Sequence, residues 1–472
     1  MTSSCESRGS DKKRRKLNIV VEGCCHGELP KIYASVQRLE QVQGIKVDLL
    51  ICCGDFQCLR NSQDFHGLAC PDKYKTLGTF HKYYSGELVA PVLTLFIGGN
   101  HEASTYLQEL HYGGWVAPRI YFMGFAGVVR VGGVRIAGLT GIYNERSYAR
   151  GRHEKPPYNR DTLRSVYYVR ELEVFKLAQL TGHVDLCLSH DWPRGIVRYG
   201  DKVSLLQAKP YFKDEVEKGV LGSPPAEQLL HKIQPDYWFS AHLHVKFPAV
   251  VRHGSPREGQ GDPASELHGI TRFLSLDKCL PKRDFLQLIS VDRPDDEGGE
   301  GEETLVEYDV EWLAIVKASH HLLTGSFEQV DIPFETPRLE PNQLNWVRDR
   351  LVARNLPGGP LVIPDNFEMT APPESEVRGT EHVSVTMKCS CIATRPNALL
   401  QSGNTSSQNL SRKRKRCVLK PLSGIPDDAL REFICPEVCT QNHHHATGRC
   451  RCYLCSFSDT YDTEETKAGA AP

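Results

Sequence analysis

The stretch that decides the fold is Phe96-Ile97-Gly98-Gly99-Asn100-His101-Glu102. The apolar run at residues 91–97 predicts a buried strand, and the two glycines predict a tight turn that lifts Asn100 and His101 clear of the sheet. A donor side chain at the C-terminal end of a strand is well placed for chemistry. Gly-Asn-His-Glu could equally form an ordinary surface turn, so the interpretation depends on how the neighbouring strands end.

Four other apolar runs are followed by side chains of the same kind. The runs are residues 17–22, 47–52, 184–188 and 237–240, and the side chains that follow them are Cys24 and His26, then Asp55, then His190, then His242 and His244. Taken singly, each histidine could be an ordinary core or surface residue, and Gly-Asp is a common turn. Repetition at the same end of successive strands favours a shared site.

Cys, His, Asp and Asn together form the ligand set for two transition-metal ions that share one carboxylate. Two adjacent ions suit phosphodiester cleavage, because negative charge develops on the equatorial, attacking and leaving oxygens. One ion of such a pair also lowers the pKa of a bound water toward ~7. The pattern therefore predicts a two-metal hydrolytic centre.

The order of elements predicts an α/β fold. An amphipathic helix at residues 29–43 lies between the first two strands, which gives β-α-β alternation, and Gly132-Gly133 predicts a hairpin turn. Further strands at 247–252, 271–276 and 285–291 predict two packed mixed sheets with flanking helices. The predicted domains are a disordered basic arm at 1–16, a catalytic domain at 17–304, a small domain at 305–370 and a disordered tail at 371–472.

Composition limits the class of protein. The 472 residues carry 57 basic and 58 acidic side chains, a net charge of -1, so affinity for a polyanion would need a local basic surface. No run of 18 or more apolar residues occurs and the first 16 residues are polar and basic, which predicts a soluble intracellular protein with no membrane partner. The 17 cysteines then favour free thiols or metal ligands over disulfides.

The ordered motifs strongly resemble the calcineurin-like metallophosphoesterase superfamily, whose first motif is usually Asp-x-His. Here Cys24 stands in the Asp position. With this departure, the chain is similar to the RNA lariat debranching enzyme family over approximately residues 17–370. The motifs that carry the similarity are Gly23-Cys24-Cys25-His26-Gly27, Cys53-Gly54-Asp55-Phe56-Gln57, Ser189-His190-Asp191-Trp192-Pro193 and Ser240-Ala241-His242-Leu243-His244.

The resemblance implies the αββα sandwich of metallophosphoesterases and a role for each ligand. One ion would be held by Cys24, His26, Asp55 and His244, and the other by Asp55, Asn100, His190 and His242, so that Asp55 bridges. His101 would act as the general acid toward the leaving 2′-oxygen. The implied reaction is hydrolysis of the 2′,5′-phosphodiester bond at the branch point of excised intron lariat RNA by metal-activated hydroxide. Glu102 and Asp191 could orient neighbouring histidines, or be plain turn carboxylates.

The thiolate of Cys24 makes its pocket softer than the usual carboxylate does, which favours Fe(II) or Zn(II) over Mg(II). The family resemblance implies two divalent ions, with Fe(II), Zn(II) and Mn(II) all open. It also places an RNA-contacting insertion at residues 142–168, where aromatic rings could stack bases and guanidinium groups could meet phosphates. The candidate contacts are Tyr143, Arg146, Tyr148, Arg150, Arg152, Tyr158, Arg160 and Tyr167.

Two features of the tail remain separate from this site. The basic cluster at residues 411–416 predicts nuclear import, or is a solvated charge run. Cysteines and histidines between residues 435 and 455 could bind structural zinc, although their spacing fits no regular finger. Branched RNA is the expected partner in the nucleus, and spliceosome-associated or intron-turnover proteins are the protein partners that this location suggests.

The sequence also admits three rival functions. A Ser/Thr phosphatase of the same superfamily is disfavoured, because its Asp-Arg-Gly element is absent after Asp55. A non-catalytic scaffold on this fold would need missing ligands, and all the expected ligand types are present. A DNA nuclease is weakened by Cys24 and by the Ser-His-Asp-Trp-Pro motif.

Overall fold

The computed structural model describes residues 16–254, 269–293, 304–333, 339–354 and 359–378. The predicted basic arm (apart from Lys16), nearly all of the predicted tail, the basic cluster at 411–416 and the Cys/His-rich segment lie outside the described residues. Within the described ranges, no helix is both long enough and apolar enough to cross a membrane.

The described residues form strands β1 (Lys16–Glu22), β2 (Leu49–Cys52), β3 (Leu93–Phe96), β4 (Gly114–Ala117), β5 (Ile120–Phe122), β6 (Ala126–Val131), β7 (Val134–Leu139), β8 (Leu186–Ser189), β9 (Tyr237–Ser240), β10 (Phe247–Arg252), β11 (Ile270–Ser275), β12 (Leu286–Asp292) and β13 (Val306–Tyr308). The α-helices in the same ranges are α1 (Leu29–Gln43), α2 (Phe80–Tyr84), α3 (Ser104–Glu109), α4 (Glu145–Tyr148), α5 (Thr162–Ser165), α6 (Glu171–Ala178), α7 (Lys202–Ala208), α8 (Lys213–Lys218), α9 (Pro224–Ile233), α10 (Val310–Ser319), α11 (Pro341–Ala353) and α12 (Glu374–Arg378).

Two mixed sheets form the centre of the fold. The first has the order β12-β1-β2-β3-β5-β4, and the second has the order β10-β11-β9-β8-β7-β6-β13. In the first sheet β1, β2 and β3 are parallel, and in the second β7, β8 and β9 are parallel. Every predicted ligand follows one of these parallel strands, so the topology itself gathers the ligands.

Alternation along the strands builds the core. Ile19 and Val21 of β1 join the large apolar cluster shared with the second sheet, whereas Val20 faces the cluster that contains α1. Helix α1 buries Leu29, Ile32, Tyr33 and Val36, the i, i+3, i+4, i+7 spacing of an amphipathic helix. It ends at Gly44, whose positive φ of 64° suits a helix C-cap.

The predicted α/β sandwich of two mixed sheets is confirmed. The predicted helix at 29–43 and the strands at 237–240 and 247–252 have the predicted bounds, and the bounds of the other predicted strands differ by one or two residues. The small domain at 305–370 stays a prediction as a separate unit. Its first strand, β13, pairs with β6 at the edge of the second sheet, and its first helix, α10, contributes Trp312 and Ile315 to the same core.

Candidate metal centre

The predicted ligands lie on short turns at the C-terminal ends of five parallel strands. Cys24 and His26 follow β1, Asp55 follows β2, Asn100 follows β3, His190 follows β8, and His242 and His244 follow β9. Because the two sheets pack face to face, these turns meet at one edge of the sandwich. The structure therefore brings together all seven predicted ligands.

The first group contains Cys24, His26, Asp55 and His244. One ligand atom from each of them lies within 4.8 Å of the ligand atoms of the other three. The Nε2 atoms of His26 and His244 are 3.3 Å apart, and His26 Nε2 is 3.6 Å from Asp55 Oδ2. A thiol, two imidazoles and a carboxylate that converge in this way suit a divalent transition-metal ion.

The second group surrounds His190, which is fully buried. Its Nε2 lies 3.2 Å from Asn100 Oδ1 and 3.4 Å from Asp55 Oδ1, and its ring centroid is 4.9 Å from that of His242. The Nδ1 of His190 lies 2.8 Å from the Cys53 carbonyl oxygen. Since a carbonyl can only accept, Nδ1 carries the proton and Nε2 has a free lone pair toward the group.

Asp55 belongs to both groups. Its Oδ2 faces His26, whereas its Oδ1 faces His190 and accepts hydrogen bonds from the backbone N–H groups of Asn100 at 3.0 Å and His101 at 2.9 Å. The two carboxylate oxygens thus address different clusters of ligands. This is the arrangement that a carboxylate bridging two ions requires.

The backbone of the site has an unusual conformation. His26, Asp55, His242 and His244 have φ values of 46°, 48°, 62° and 51°, in the left-handed region that non-glycine residues seldom adopt. They are half of the eight non-glycine residues with positive φ in the described part of the chain. Such conformations cost of order 1 kcal/mol each and concentrate at functional sites.

Two glycines of the motifs are required for space. A Cβ on Gly54 would lie 2.2 Å from His190 Nδ1, and a Cβ on Gly99 would lie 2.3 Å from Asp55 Oδ1. Real side-chain atoms do not approach this closely. The absence of a side chain at Gly54 and at Gly99 therefore leaves the space in which Asp55 and His190 come together.

The carboxylate of Glu102 fixes the turn after β2. It accepts hydrogen bonds from the backbone N–H groups of Phe56 and Gln57, both at 2.8 Å, and of Gly99 at 2.9 Å. The structure describes no contact of Glu102 with a histidine, so the carboxylate orients the backbone around Asp55. Burial, with a smaller contribution from Asp55, raises the pKa of Glu102 to about 8.

Burial also sets the charge state of the imidazoles. It lowers the pKa of His190 to about 4 and that of His244 to about 3, and it lowers the pKa of His26. These rings are therefore neutral at pH 7, as metal coordination requires. Burial opposes ionisation of Asp55, but the positive charge that the surrounding histidines carry when protonated outweighs burial and lowers the pKa of the carboxyl.

The thiol of Cys24 behaves differently. Burial raises its pKa well above the usual value, and the neighbouring carboxylates of Asp55 and Glu22 raise it further. A bound cation is the change that would stabilise the thiolate, since coordination deprotonates a thiol.

His101 lies beside the ligands but outside the first group. Its ring centroid is 5.9 Å from that of His26, and its Nδ1 lies 3.1 Å from the Ala69 carbonyl oxygen. Since this carbonyl can only accept, Nδ1 is the donor and Nε2 is the atom left for proton transfer. The predicted role of general acid remains a prediction.

The candidate RNA-contacting side chains of the insertion differ in how exposed they are to solvent. Arg146 and Arg160 are exposed, and the rings of Tyr143 and Tyr148 are 5.6 Å apart. The ring of Tyr167 packs 5.1 Å from that of Tyr168.

Arg152 and Tyr158 have partners within the protein. Arg152 donates from Nε to Glu173 at 3.0 Å and lies 3.7 Å above the ring centroid of Phe125, and Tyr158 donates to Gln108 at 2.7 Å. These two side chains support the insertion itself. The sequence could not distinguish them from exposed candidates, because their partners are distant in the chain.

Sequence reasoning missed two residues of the site. Gln57 Nε2 lies 3.3 Å from His26 Nδ1, and the charge of Lys278 is close enough to contribute to the lowered pKa values of His26 and His244. The position of Gln57 two residues after Asp55 was a signal that the sequence contained. No signal in the sequence pointed to Lys278, because it comes next to the turn after β1 through a β-bridge with Cys24, which is distant in the chain.

Comparisons with known proteins agree with this geometry. Residues 17–246 match the family model described as calcineurin-like phosphoesterase. This is the class of protein that the two-sheet sandwich, with its ligand site at one edge, indicates. Residues 268–390 match the model described as lariat debranching enzyme, C-terminal domain.

Three similar proteins carry the name lariat debranching enzyme. The Danio rerio protein is 51% identical over 76% of this chain and 61% of its own length, and the Drosophila melanogaster protein is 48% identical over 75% and 71%. The Arabidopsis thaliana protein is 51% identical over 72% of this chain and 76% of its own length. The chain belongs to the lariat debranching enzyme family, and the match spans less than two thirds of the Danio rerio protein's length.

Proposed function

We propose that this chain hydrolyses the 2′,5′-phosphodiester bond at the branch point of lariat RNA, and so linearises excised introns. The observation that carries the proposal is the position of Asp55, with Oδ1 toward His190 and Oδ2 toward His26. It supports a two-ion centre in a chain whose relatives are named for lariat debranching. Removal of a branch requires cleavage of a 2′,5′ bond while the 3′,5′ bonds stay intact.

The donor set fits two divalent cations. Cys24, His26, Asp55 and His244 would hold one ion, and Asp55, Asn100, His190 and His242 would hold the other. When bound, the ions supply Lewis-acid activation of water and neutralise charge on the phosphoryl oxygens. The thiol of Cys24 favours Fe(II) or Zn(II) in the first group, with Mn(II) as the harder alternative.

Asp55 and His101 perform distinct tasks in this proposal. Backbone donors from Asn100 and His101 hold the Asp55 carboxylate in its shared position. The hydrogen bond from His101 Nδ1 to Ala69 orients the ring, so that a proton on Nε2 can pass to the departing 2′-oxygen. Attack of a water-derived hydroxide on phosphorus would break the bond to the 2′-oxygen. Protonation would then give a free 2′-hydroxyl on the branch nucleotide, and the phosphate would remain on the 5′ end of the released arm.

The insertion at 142–168 supplies the proposed RNA contacts. Arg146 and Arg160 would meet phosphates, and Tyr143 and Tyr148 would stack on unpaired bases near the branch. Arg150 contributes by packing against the ring of Phe327 at the base of the insertion. The basic cluster at 411–416 supports a nuclear location, where intron-turnover proteins are the proposed partners.

The decisive experiment compares a synthetic branched RNA with a linear 3′,5′ RNA of the same sequence. Purified protein is reconstituted with Fe(II), Zn(II) or Mn(II) in turn, and products are resolved on gels. The expected result is release of the 2′,5′-linked arm only, with the linear RNA intact. Equal cleavage of both RNAs would point to a general nuclease, and no cleavage with any ion would contradict the proposal.

A further inference from the structure

The base of the insertion is paired with a segment far along the chain. Residues 324–330, here named the strap, run beside residues 149–152. Val330 N–H donates to the Ala149 carbonyl at 2.8 Å, and Arg152 N–H donates to the Thr324 carbonyl at 3.0 Å. Arg150 and Gln329 form an antiparallel β-bridge between these bonds. The insertion is therefore tied to the C-terminal part of the chain by main-chain pairing.

Side chains reinforce this pairing. The guanidinium group of Arg150 lies 3.9 Å from the ring centroid of Phe327, and the ring of His153 packs edge-on against the same ring at 4.9 Å. Phe327 is nevertheless 54% exposed. The exposed ring of Phe327 thus contacts two side chains of the insertion, the guanidinium group of Arg150 and the imidazole of His153.

Gly151 marks the closest approach of the strap. A Cβ at this position would lie 2.6 Å from the Ser326 carbonyl oxygen and 2.7 Å from the Thr324 carbonyl oxygen. Its φ is not positive, so the glycine is needed here for space and not for backbone conformation. A methyl group at 151 would force the strap and the insertion apart.

The opposite side of the same segment is fixed to helix α6. Arg152 pairs with Glu173 at 3.0 Å, and Glu154 pairs with Arg170 at 2.6 Å. The side chains of Glu154 and Arg170 are only 1% and 2% exposed, so separating them would leave an unpaired buried charge. Residues 150–154 are held between helix α6 and the strap.

We propose that the strap is a positioning element for branched RNA, and that Phe327 and Gly151 are positioning residues. The strap orders the insertion before RNA arrives, so that Arg146, Arg160 and the tyrosines form one fixed surface. A disordered insertion would have to be ordered during binding, which reduces affinity. The inference rests on the proposed function, because it assigns the insertion to RNA recognition.

Two variants test the proposal by different routes. Gly151→Ala adds a methyl group that faces the strap and removes no group that RNA could contact. Phe327→Ala removes the ring that contacts Arg150 and His153. Because Phe327 is exposed, this variant should fold, and it keeps the test available if Gly151→Ala fails to fold. The matched control is Val352→Ala, since Val352 is 62% exposed on α11.

Three measurements are made on the full chain with its metal ions. Amide hydrogen exchange is followed in peptides from residues 142–168, KM and kcat are measured on branched RNA, and metal content is determined by mass spectrometry. We expect faster exchange in the insertion and a KM about tenfold higher for both variants, equivalent to about 1.4 kcal/mol of binding free energy. We expect both variants to keep the kcat and the metal content of the wild type. We expect the control variant Val352→Ala to match the wild type in all three measurements.

The other outcomes are distinguishable. Faster exchange with unchanged KM would overturn the positioning role and leave the proposed function intact. Unchanged exchange in both variants, or a lower kcat with unchanged KM, would also overturn it. Failure of the wild-type protein to cleave branched RNA would overturn the proposed function and this inference together.

Discussion

The backbone N–H of His242 donates a hydrogen bond to the Sγ of Cys24 at 3.2 Å, across a sequence separation of 218 residues. Cys24 follows β1 of the first sheet and His242 follows β9 of the second, so the bond joins the two sheets at the site. It orients the thiol toward the group that contains His26, Asp55 and His244. The identity of residue 24 therefore affects both the donor chemistry and the geometry of this pocket.

Cys24→Asp should shift the metal preference of the first group toward harder ions. A carboxylate binds Mn(II) and Mg(II) better, relative to Zn(II) and Fe(II), than a thiolate does. Competition titrations followed by mass spectrometry of the bound metals would measure the change. Cys24→Ala is the comparison, since it removes the ligand and should weaken binding of every ion. An unchanged order of preference in Cys24→Asp would contradict the argument from thiolate softness.

His101→Ala should retain both metal ions and lose most of the rate, by about 10²- to 10⁴-fold in kcat. The variant removes the proposed general acid and none of the proposed ligands. Metal content and single-turnover cleavage of branched RNA would be measured together. His66→Ala is a suitable control because His66 is exposed and has no proposed role. A loss of metal that parallels the loss of rate would reassign His101 as a ligand.

Gln57→Leu should weaken metal binding at the first group by about 10- to 100-fold. The Nε2 of His26 faces His244 and Asp55, so a bound ion requires the proton of this ring on Nδ1. Gln57 can hold that proton if its amide presents Oε1 toward Nδ1, and amide orientation is set by the hydrogen bonds around it. Leucine fills similar space without an acceptor. Gln63→Leu, at an exposed position, is the control, and equal affinities in both variants would exclude this orienting role.

The stability of the protein should fall as the pH drops from about 6.5 to about 4, in part because of His320. Burial, followed by the charge of Lys176, lowers the pKa of His320 from 6.5 to about 4. The unfolded chain then binds the proton more readily, so acid favours unfolding within this window, and the contribution is fully present above pH 6.5. Its size is at most about 3.5 kcal/mol, since one pKa unit corresponds to about 1.4 kcal/mol.

His320→Asn isolates that contribution. The Nδ1 of His320 lies 2.9 Å from the Tyr112 hydroxyl, and the asparagine oxygen can accept the same hydrogen bond without titrating. Urea unfolding at pH 7.5 and pH 5 should give a smaller pH-dependent loss for the variant than for the wild type. The histidines of the metal centre titrate in both proteins, so only the difference is informative. Parallel losses in the two proteins would contradict the assignment to His320.

Much of the fold could be predicted because its signals are local. The apolar runs, the spacing of Leu29, Ile32, Tyr33 and Val36, and the Gly132-Gly133 turn each depend on neighbouring residues. The placement of Val306–Tyr308 could not be predicted, because β13 acquires its role only by pairing with β6, about 175 residues earlier in the chain. A three-residue strand has no periodicity of its own.

The sequence by itself determined which residues can meet at the metal centre. Each ligand follows a strand, and parallel strands carry their C-terminal ends to one edge, so residue types and order were enough to bring Cys24, His26, Asp55, Asn100, His190, His242 and His244 together. The tertiary structure alone decided the direction of each donor atom. It turned the two oxygens of Asp55 to different groups, placed Gln57 on His26, directed Arg152 to Glu173, and tied the insertion to the strap. Those relationships depend on contacts between distant segments, which exist only after the sheets have packed and have no signature in the local sequence.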